Sequence, residues 1–392
     1  MDDSQPSTVI PSSFQPSHSR LCIEFTGSGS EYFRIWIVNL LLMLVTLGLY
    51  FPWAKVRRLR YFCGNTLVDG EPLGFHGNPK KMFKGFVLVG VLFALYSVAG
   101  QFSPTAGFVA LLIVVAIWPA LFKSSMQFRL ANTSWRGLRF GFHGTLKDAY
   151  LANVPLFIPG VLLVGMNLAV TDIKMSPNNL AMAAGGTVLL TLAFMPWLFW
   201  NLKQYQHNHY GLGHLQTQFR ASAGSFYKLF LKVFGFALLV IVIATAAVAG
   251  IIFGASLSGL GGAMPKGPMV AFISLLGGLA GMAVVMIGIK PYAISRLQNL
   301  VWTQTGNSSL RFISKMRFRS MLWLTLKNWL LVVLTLGLYW PFAAVALARM
   351  RLETVSVKTS ISPELLVASI RTAEGDAAAD AAGDFFGLDI GL

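Results

Sequence analysis

Histidine and cysteine are the side chains that most often ligate metals or move protons, and this 392-residue chain holds six histidines and two cysteines. The histidines are His18, His76, His143, His207, His209 and His214; the cysteines are Cys22 and Cys63. The densest group is Gln206-His207-Asn208-His209, with His214 five residues on. Imidazoles at this spacing suit a transition metal, but no carboxylate or cysteine adjoins them, and the set falls short of a usual ligand count. His76 and His143 each stand between a Phe and a Gly, which suits a structural turn. Two cysteines make neither a disulfide framework nor a metal spacing. His-Glu-x-x-His, Gly-x-Ser-x-Gly and a phosphate-cradling glycine loop are all missing. Gly259-Leu260-Gly261-Gly262 reads as a flexible turn. The expectation is a protein with no enzymatic activity, no metal and no cofactor.

The elements that must position these residues are membrane helices. Hydrophobic residues make up 55% of the chain and charged ones 12%, half the roughly 25% charge of soluble globular domains. Residues 86–99, 106–122, 154–170, 180–200, 229–256 and 268–289 are almost free of charge. Several of these runs are long enough to cross about 30 Å of hydrocarbon. A soluble enzyme, a secreted disulfide scaffold and a disordered binder are therefore excluded. The net charge of +16 fits basic residues that flank spans and meet anionic headgroups. Nucleic acid would need that charge clustered on a folded soluble face. The amino terminus, Met-Asp-Asp-Ser-Gln-Pro-Ser, lacks the basic n-region of a signal peptide.

Internal repeats organise the chain. NLLLMLVTLGLYFPW at 39–53 matches NWLLVVLTLGLYWPF at 328–342 in nine of fifteen positions. NTLVDGEPLGFHG at 65–77 matches NTSWRGLRFGFHG at 132–144 in seven of thirteen. A Phe-x-small element recurs at Phe25-Thr26-Gly27, Phe75-His76-Gly77, Phe142-His143-Gly144, Phe219-Arg220-Ala221 and Phe312-Ile313-Ser314. Between copies of this unit lie a membrane segment, a basic helix end and a polar piece of strand character. Asp69-Gly70 there signals a type I′ β-hairpin.

Three helical hairpins over 82–122, 150–202 and 226–291 would have tips near 100–106, 172–179 and 257–268, which contain only Lys174 and Lys266. The opposite loops carry most of the arginine and lysine, so the β-hairpin side is cytoplasmic by the positive-inside rule. Ile35–Ala54 and Trp329–Ala348 have basic flanks on both sides, and Gly48 and Gly337 precede Pro52 and Pro341 by four residues. This pattern favours a helix break over a single span, and such breaks must be covered by protein or a wet cavity. The expected fold is an all-α polytopic membrane protein. About six full transmembrane helices form three hairpins, two broken re-entrant segments lie at the ends, and small cytoplasmic β-hairpins link them. Its parts would be a cytoplasmic segment with a short strand (1–31), a repeat-built membrane domain (32–353) and an acidic cytoplasmic tail (354–392).

Residues 39–77, with their Thr-Leu-Gly-x-Tyr-x-Pro-Trp and Gly-Asn-Thr-x-x-Asp-Gly strings, closely resemble the bacterial YjgN family of inner-membrane proteins. The resemblance runs from about Phe25 to the Phe386–Leu392 terminus. The second Thr-Leu-Gly copy departs from it, with Phe342 closing the motif in place of Trp. What the resemblance implies is location, a multi-pass protein of the bacterial inner membrane; the family carries no established activity.

Two groups of residues stand out as candidate sites. Asn39, Thr46, Gly48, Tyr50 and Pro52, with their counterparts Asn328, Thr335, Gly337, Tyr339 and Pro341, either brace the broken backbone or line one polar cavity. Arg57, Arg58, Arg136 and Arg139 form a basic cytoplasmic face; the acidic tail, with Phe385 and Phe386 near its end, either stays solvated or docks there. Few charges lie inside the spans and no acid lies deep, which argues against a proton-coupled pump. Two function classes remain. One is a transporter or channel for a small or lipid-like solute; the other is a non-enzymatic scaffold or regulator presenting a β-rich face to a partner protein. Expected partners are membrane lipids and a protein on the cytoplasmic face, with no nucleic acid.

Overall fold

The computed structural model describes residues 19–173, 176–213, 215–257, 281, 283–360, 362–365, 367–368 and 370. Its plan is one unit, strand–helix–helix–strand, used five times. The first unit is β1 (Ser19–Phe25), α1 (Gly29–Val45), α2 (Phe51–Gly64) and β2 (Thr66–Val68). The second is β3 (Glu71–Phe75), α3 (Pro79–Phe102), α4 (Pro104–Ala131) and β4 (Thr133–Trp135). The third is β5 (Leu138–Phe142), α5 (Leu146–Ile173), α6 (Pro177–Asn208) and β6 (Tyr210–Leu212).

The fourth unit begins with the short strands β7 (Leu215–Gln216) and β8 (Gln218–Phe219), followed by α7 (Ala223–Leu257). It returns through a π-helical turn at Val284–Ile289 into α8 (Lys290–Thr303) and β9 (Thr305–Gly306). The fifth is β10 (Leu310–Ser314), α9 (Phe318–Leu334), α10 (Trp340–Glu353) and β11 (Val355–Thr359). The expected outer tip at 257–268, and most of the run at 268–289, lie outside the described residues.

Each helical hairpin stands on the sheet by one repeated backbone bond. Thr26 N–H donates to Asn65 O (2.9 Å), His76 to Asn132 (2.8 Å), His143 to His209 (3.0 Å), Arg220 to Gln304 (2.8 Å) and Lys315 to Thr354 (3.0 Å). The equivalence corrects one repeat assignment. Phe25, Phe75, Phe142 and Phe219 pair with the first residue of the returning strand, but in the fifth unit Ser314 takes that place, opposite Val355. The fifth element is therefore Ser314-Lys315-Met316, two residues beyond the Phe312 motif. Bulk is exchanged within it. In the second and third units the Phe ring lies so close that a Cβ on Gly77 or Gly144 would meet it at 2.5 or 2.6 Å; in the fifth the small Ser314 is followed by a buried Met316.

The all-α expectation needs correction, because the polar linkers are not separate hairpins. All eleven strands form one antiparallel sheet in the order β7-β6-β5-β4-β3-β2-β1-β11-β10-β9-β8. Its two ends, β7 and β8, are separated only by Thr217, whose N–H donates to Tyr210 O at 2.8 Å. The sheet thus closes almost completely into a ring, which leaves hardly any unpaired strand edge. Asp69-Gly70 turns with φ of 55° and 78°, and Arg136-Gly137 with 50° and 83°, the doubly positive geometry of a type I′ turn. Val355–Thr359, the start of the segment read as a tail, pairs with β1 on one side and β10 on the other. The middle of the ring is filled by Leu21, Trp135, Leu138, Leu212 and Val357, closed over by Ile370.

Among the described residues, five helical stretches are long and apolar enough to cross a membrane: Pro79–Phe102, Pro104–Ala131, Leu146–Met166, Asn178–Asn208 and Ala223–Ile243. By contrast α1 has 17 residues and α2 has 14, about 26 and 21 Å at 1.5 Å per residue. Neither reaches the roughly 30 Å of a hydrocarbon core.

Candidate functional site

The two Thr-Leu-Gly breaks superpose in their chemistry. Thr46 Oγ1 donates to Leu42 O at 2.7 Å and accepts the Tyr50 N–H at 3.0 Å. Thr335 does the same with Leu331 O (2.7 Å) and Tyr339 N–H (2.9 Å). Leu47 and Gly48 turn left-handed at φ 50° and 89°, as do Leu336 and Gly337 at 49° and 93°. Gly48 N–H then reaches back to Met43 O, and Gly337 N–H to Val332 O, both at 2.8 Å, the Schellman ending that satisfies helix carbonyls. Pro52 and Pro341 lie buried in the first turn of the next helix, where a missing N–H costs nothing. Tyr50 stacks on Trp53, and Tyr339 on Phe342.

These polar groups are spent within the turn, and the tip itself is apolar, with Leu47 and Leu336 each 94% exposed. Within the proposed cavity set, Asn39 and Asn328 each keep a buried oxygen unused. The Oδ1 of each is buried and has no hydrogen-bond donor. Asn39 is 5% exposed, and Asn328 Nδ2 reaches Ala343 O at 3.5 Å.

The proposed docking residues divide. Arg136, in the β4–β5 turn, bridges Asp69 (3.0 Å) and Glu364 (3.2 Å) and lies over the Trp135 ring. Its own amide bond and the Arg136 guanidinium hold the Glu364 carboxyl below the ordinary glutamate range. Ile370, six residues beyond Glu364, is fully buried against Gly213 and the ring core. Arg57 covers the Tyr50 ring, Arg58 covers Phe62, and Arg139 is an exposed strand residue opposite Ser134. Phe385 and Phe386 lie outside the described residues.

His18 and His214 lie outside the described residues; His76, His207 and His209 are engaged as packing groups. His76 Nε2 meets Ser134 Oγ at 2.8 Å, and His207 Nδ1 meets Thr305 Oγ1 at 3.0 Å while packed among Tyr210, Phe219 and Trp302. His209 Nδ1 faces Tyr205 O at 2.7 Å. Among the described residues no three His, Cys, Asp or Glu side chains gather as a metal site.

A second cluster sits where the returning helices meet the ring. Arg129 and Arg351 occupy equivalent places, each three residues before the residue that accepts the hairpin's anchoring bond. Lys203 lies within electrostatic reach of both, and Lys55 within reach of Arg129. Arg351 Nε donates to Gln298 Oε1 at 2.9 Å, joining the fourth and fifth hairpins, and Lys203 Nζ donates to Gln206 Oε1 at 2.8 Å. Arg129 also acts on Tyr210, whose hydroxyl pKa burial pushes up. Among the described residues no carboxylate pairs with Lys55, Arg129, Lys203 or Arg351. Lys203 thus has Arg129 and Arg351 as cationic neighbours, and Lys55 has Arg129; Lys203 is half-buried and the other three are exposed.

Comparison with known proteins places this arrangement. The model of a family described as "Bacterial protein of unknown function (DUF898)" matches residues 20–385. The chain belongs to that family. Similar curated proteins are named "Inner membrane protein YjgN". The one from Salmonella typhimurium is 25% identical over 367 residues, 89% of this chain and 91% of its own. Those from Escherichia coli O157:H7 and K12 are 30% and 29% identical over 183 and 182 residues, under half of each chain. No solved structure matches. With its span-length helices, this DUF898 chain is a multi-pass protein of the bacterial inner membrane. The DUF898 repeat was legible in its Phe-x-small elements, but the convergence of Arg129, Lys203 and Arg351 was not. The equivalence of Arg129 and Arg351 emerges only once the units are aligned by their anchoring bonds.

Proposed function

We propose that the protein is a non-enzymatic transporter or channel for a small anionic or lipid-like solute. Six full spans form three hairpins, two shorter hairpins re-enter the membrane, and the β-ring and both termini are cytoplasmic. The observation that carries this reading is the gathering of Lys55, Arg129, Lys203 and Arg351 without carboxylate partners. Neighbouring cations at a largely exposed face repel one another and attract an anion. Both ends of α1–α2 and of α9–α10 stand on the ring, and the apolar tips Leu47 and Leu336 project from it, which supports re-entry. The scarcity of basic residues at the far hairpin tips supports the orientation.

A second reading, a scaffold presenting the ring to a partner, is favoured by the apolar filling of the ring and its cover by Ile370. Proteoliposome flux separates the two. Anion or labelled-lipid movement that falls in Lys203→Gln and Arg351→Gln, with folded yield retained, supports transport. Absence of any such movement, with a protein partner captured from membranes by the ring face, supports the scaffold.

A further inference from the structure

A groove of about 500 Å³ lies along the first helical hairpin, lined by Arg34, Ile35 and Val38 of α1 and Arg57, Arg60 and Tyr61 of α2. Arg57 and Arg60 are three residues apart and share a helix face, as do Arg34 and Val38, four apart. The groove is separate from the Lys55 cluster, which uses a different face of α2. None of the three arginines has a carboxylate at ion-pair distance among the described residues. Arg60 donates to Gly77 O at 3.3 Å, and Arg57 covers the Tyr50 ring. The nearby acid, Glu31, accepts the Tyr61 hydroxyl at 3.3 Å. Three arginines line one largely apolar hollow, and a guanidinium that turns into it offers a fork of N–H donors that fits phosphate.

The apolar wall says what else the ligand carries. Val38, Leu41 and Val45 continue as an exposed stripe from the groove toward the hairpin tip, spaced as one helix face. A free phosphate has no use for such a stripe; an acyl chain does. The arginines sit within about two helical turns of the ring end, the depth of the cytoplasmic headgroup layer in the orientation argued above. We propose that this groove is a binding site for an anionic phospholipid. Its phosphate is held by Arg34, Arg57 and Arg60, and one acyl chain lies along Val38, Leu41 and Val45. The site is independent of whether the protein transports anything.

Native mass spectrometry of the full-length, delipidated protein in detergent tests it, titrating phosphatidylglycerol, phosphatidylcholine and inorganic phosphate in parallel. The expected result is one retained phosphatidylglycerol with at least tenfold preference over phosphatidylcholine, undisturbed by millimolar phosphate. Arg34→Gln/Arg57→Gln, which keeps the Arg60–Gly77 bond, should lose that lipid, and Arg319→Gln on α9 should keep it. Val38→Trp, which fills the groove with its charges intact, should weaken retention as well. Equal retention of both lipids would overturn the charge argument. Displacement by phosphate alone would make the site one for a free anion, and an equal loss in Arg319→Gln would reduce it to general surface attraction.

Discussion

Replacing Ile370 by Ala should release the C-terminal segment from the ring. Ile370 is fully buried, and it packs with Leu21, Trp135, Leu138, Leu212 and Val357. Truncating such a side chain costs about 2–5 kcal/mol in a core that cannot collapse. At about 1.4 kcal/mol per factor of ten, the population with 363–370 undocked rises roughly 30-fold or more. The exposed Glu364 carboxylate adds too little to offset this. Trypsin cleavage after Arg371 reads the change, because that bond must be extended through Ile370 to enter the protease; the released fragment is weighed by mass spectrometry. Gly213 supplies an internal control. A Cβ there would meet Ile370 Cγ2 at 2.2 Å, so Gly213→Ala should speed cleavage in the parent. In the Ile370→Ala background it should have much less effect, while the backbone cost of its φ of +57° cancels in the double-mutant cycle. Cleavage unchanged in Ile370→Ala, or additive effects of the two substitutions, would refute the docked arrangement.

Gly48→Val and Gly337→Val should each lower the melting temperature. Nothing lies within 4 Å of either position, so the cost is the left-handed backbone alone, about 1–2 kcal/mol; a melt like the parent's would place the turn elsewhere. Asn39→Leu should leave thermal stability unchanged or raise it, since it removes a buried acceptor without a donor; a fall in stability together with a fall in flux would assign that oxygen a ligand. Acidification should loosen the C-terminal segment. The folded-state pKa of Glu364 lies below its ordinary value, so its contribution is present above the glutamate range and is lost as pH falls through it. Hydrogen exchange at 363–370, corrected for intrinsic rate, should show this and lose the step in Glu364→Gln.

Much of the architecture was readable because each unit repeats its local signals. The Asp69-Gly70 turn, the Thr46-to-Pro52 break and the Phe75 and Phe142 elements are fixed by neighbours within a few residues. The ring was not readable, since it depends on pairings between distant strands. Ser19–Cys22 pairs with Ser356–Thr359, and nothing in either short stretch names the other. Val355–Thr359 is apolar and β-branched enough to be a strand, but the acids beyond it made the whole stretch resemble a solvated tail. The fifth anchor was misplaced for a physical reason too. Exchanging a large and a small residue between Ser314 and Met316 preserves the packed volume while erasing the Phe that marked the other four units. The tip residues Thr46, Gly48, Tyr50 and Pro52 were found by sequence, yet the Thr46 hydroxyl and the backbone amides of Gly48 and Tyr50 are consumed within the turn, which only the three-dimensional structure shows.

Closing the sheet with β1 against β11 imposes an order on biogenesis. The ribosome delivers β1 first and β11 only after all five hairpins have been made, so the ring cannot shut until the membrane helices have entered the bilayer. Until then β1 and β10 each expose a bare edge, and a chain stopped at Thr354 would carry both edges permanently, ready to pair with a neighbour. β1 and β11 act as a latch that is fastened last. The same geometry makes the starting point of the chain arbitrary. Joining Ile370, which must be kept to fill the ring, to Ser19 through a linker and opening the Asp69-Gly70 turn should yield a permuted protein with the same ring and the same five hairpins.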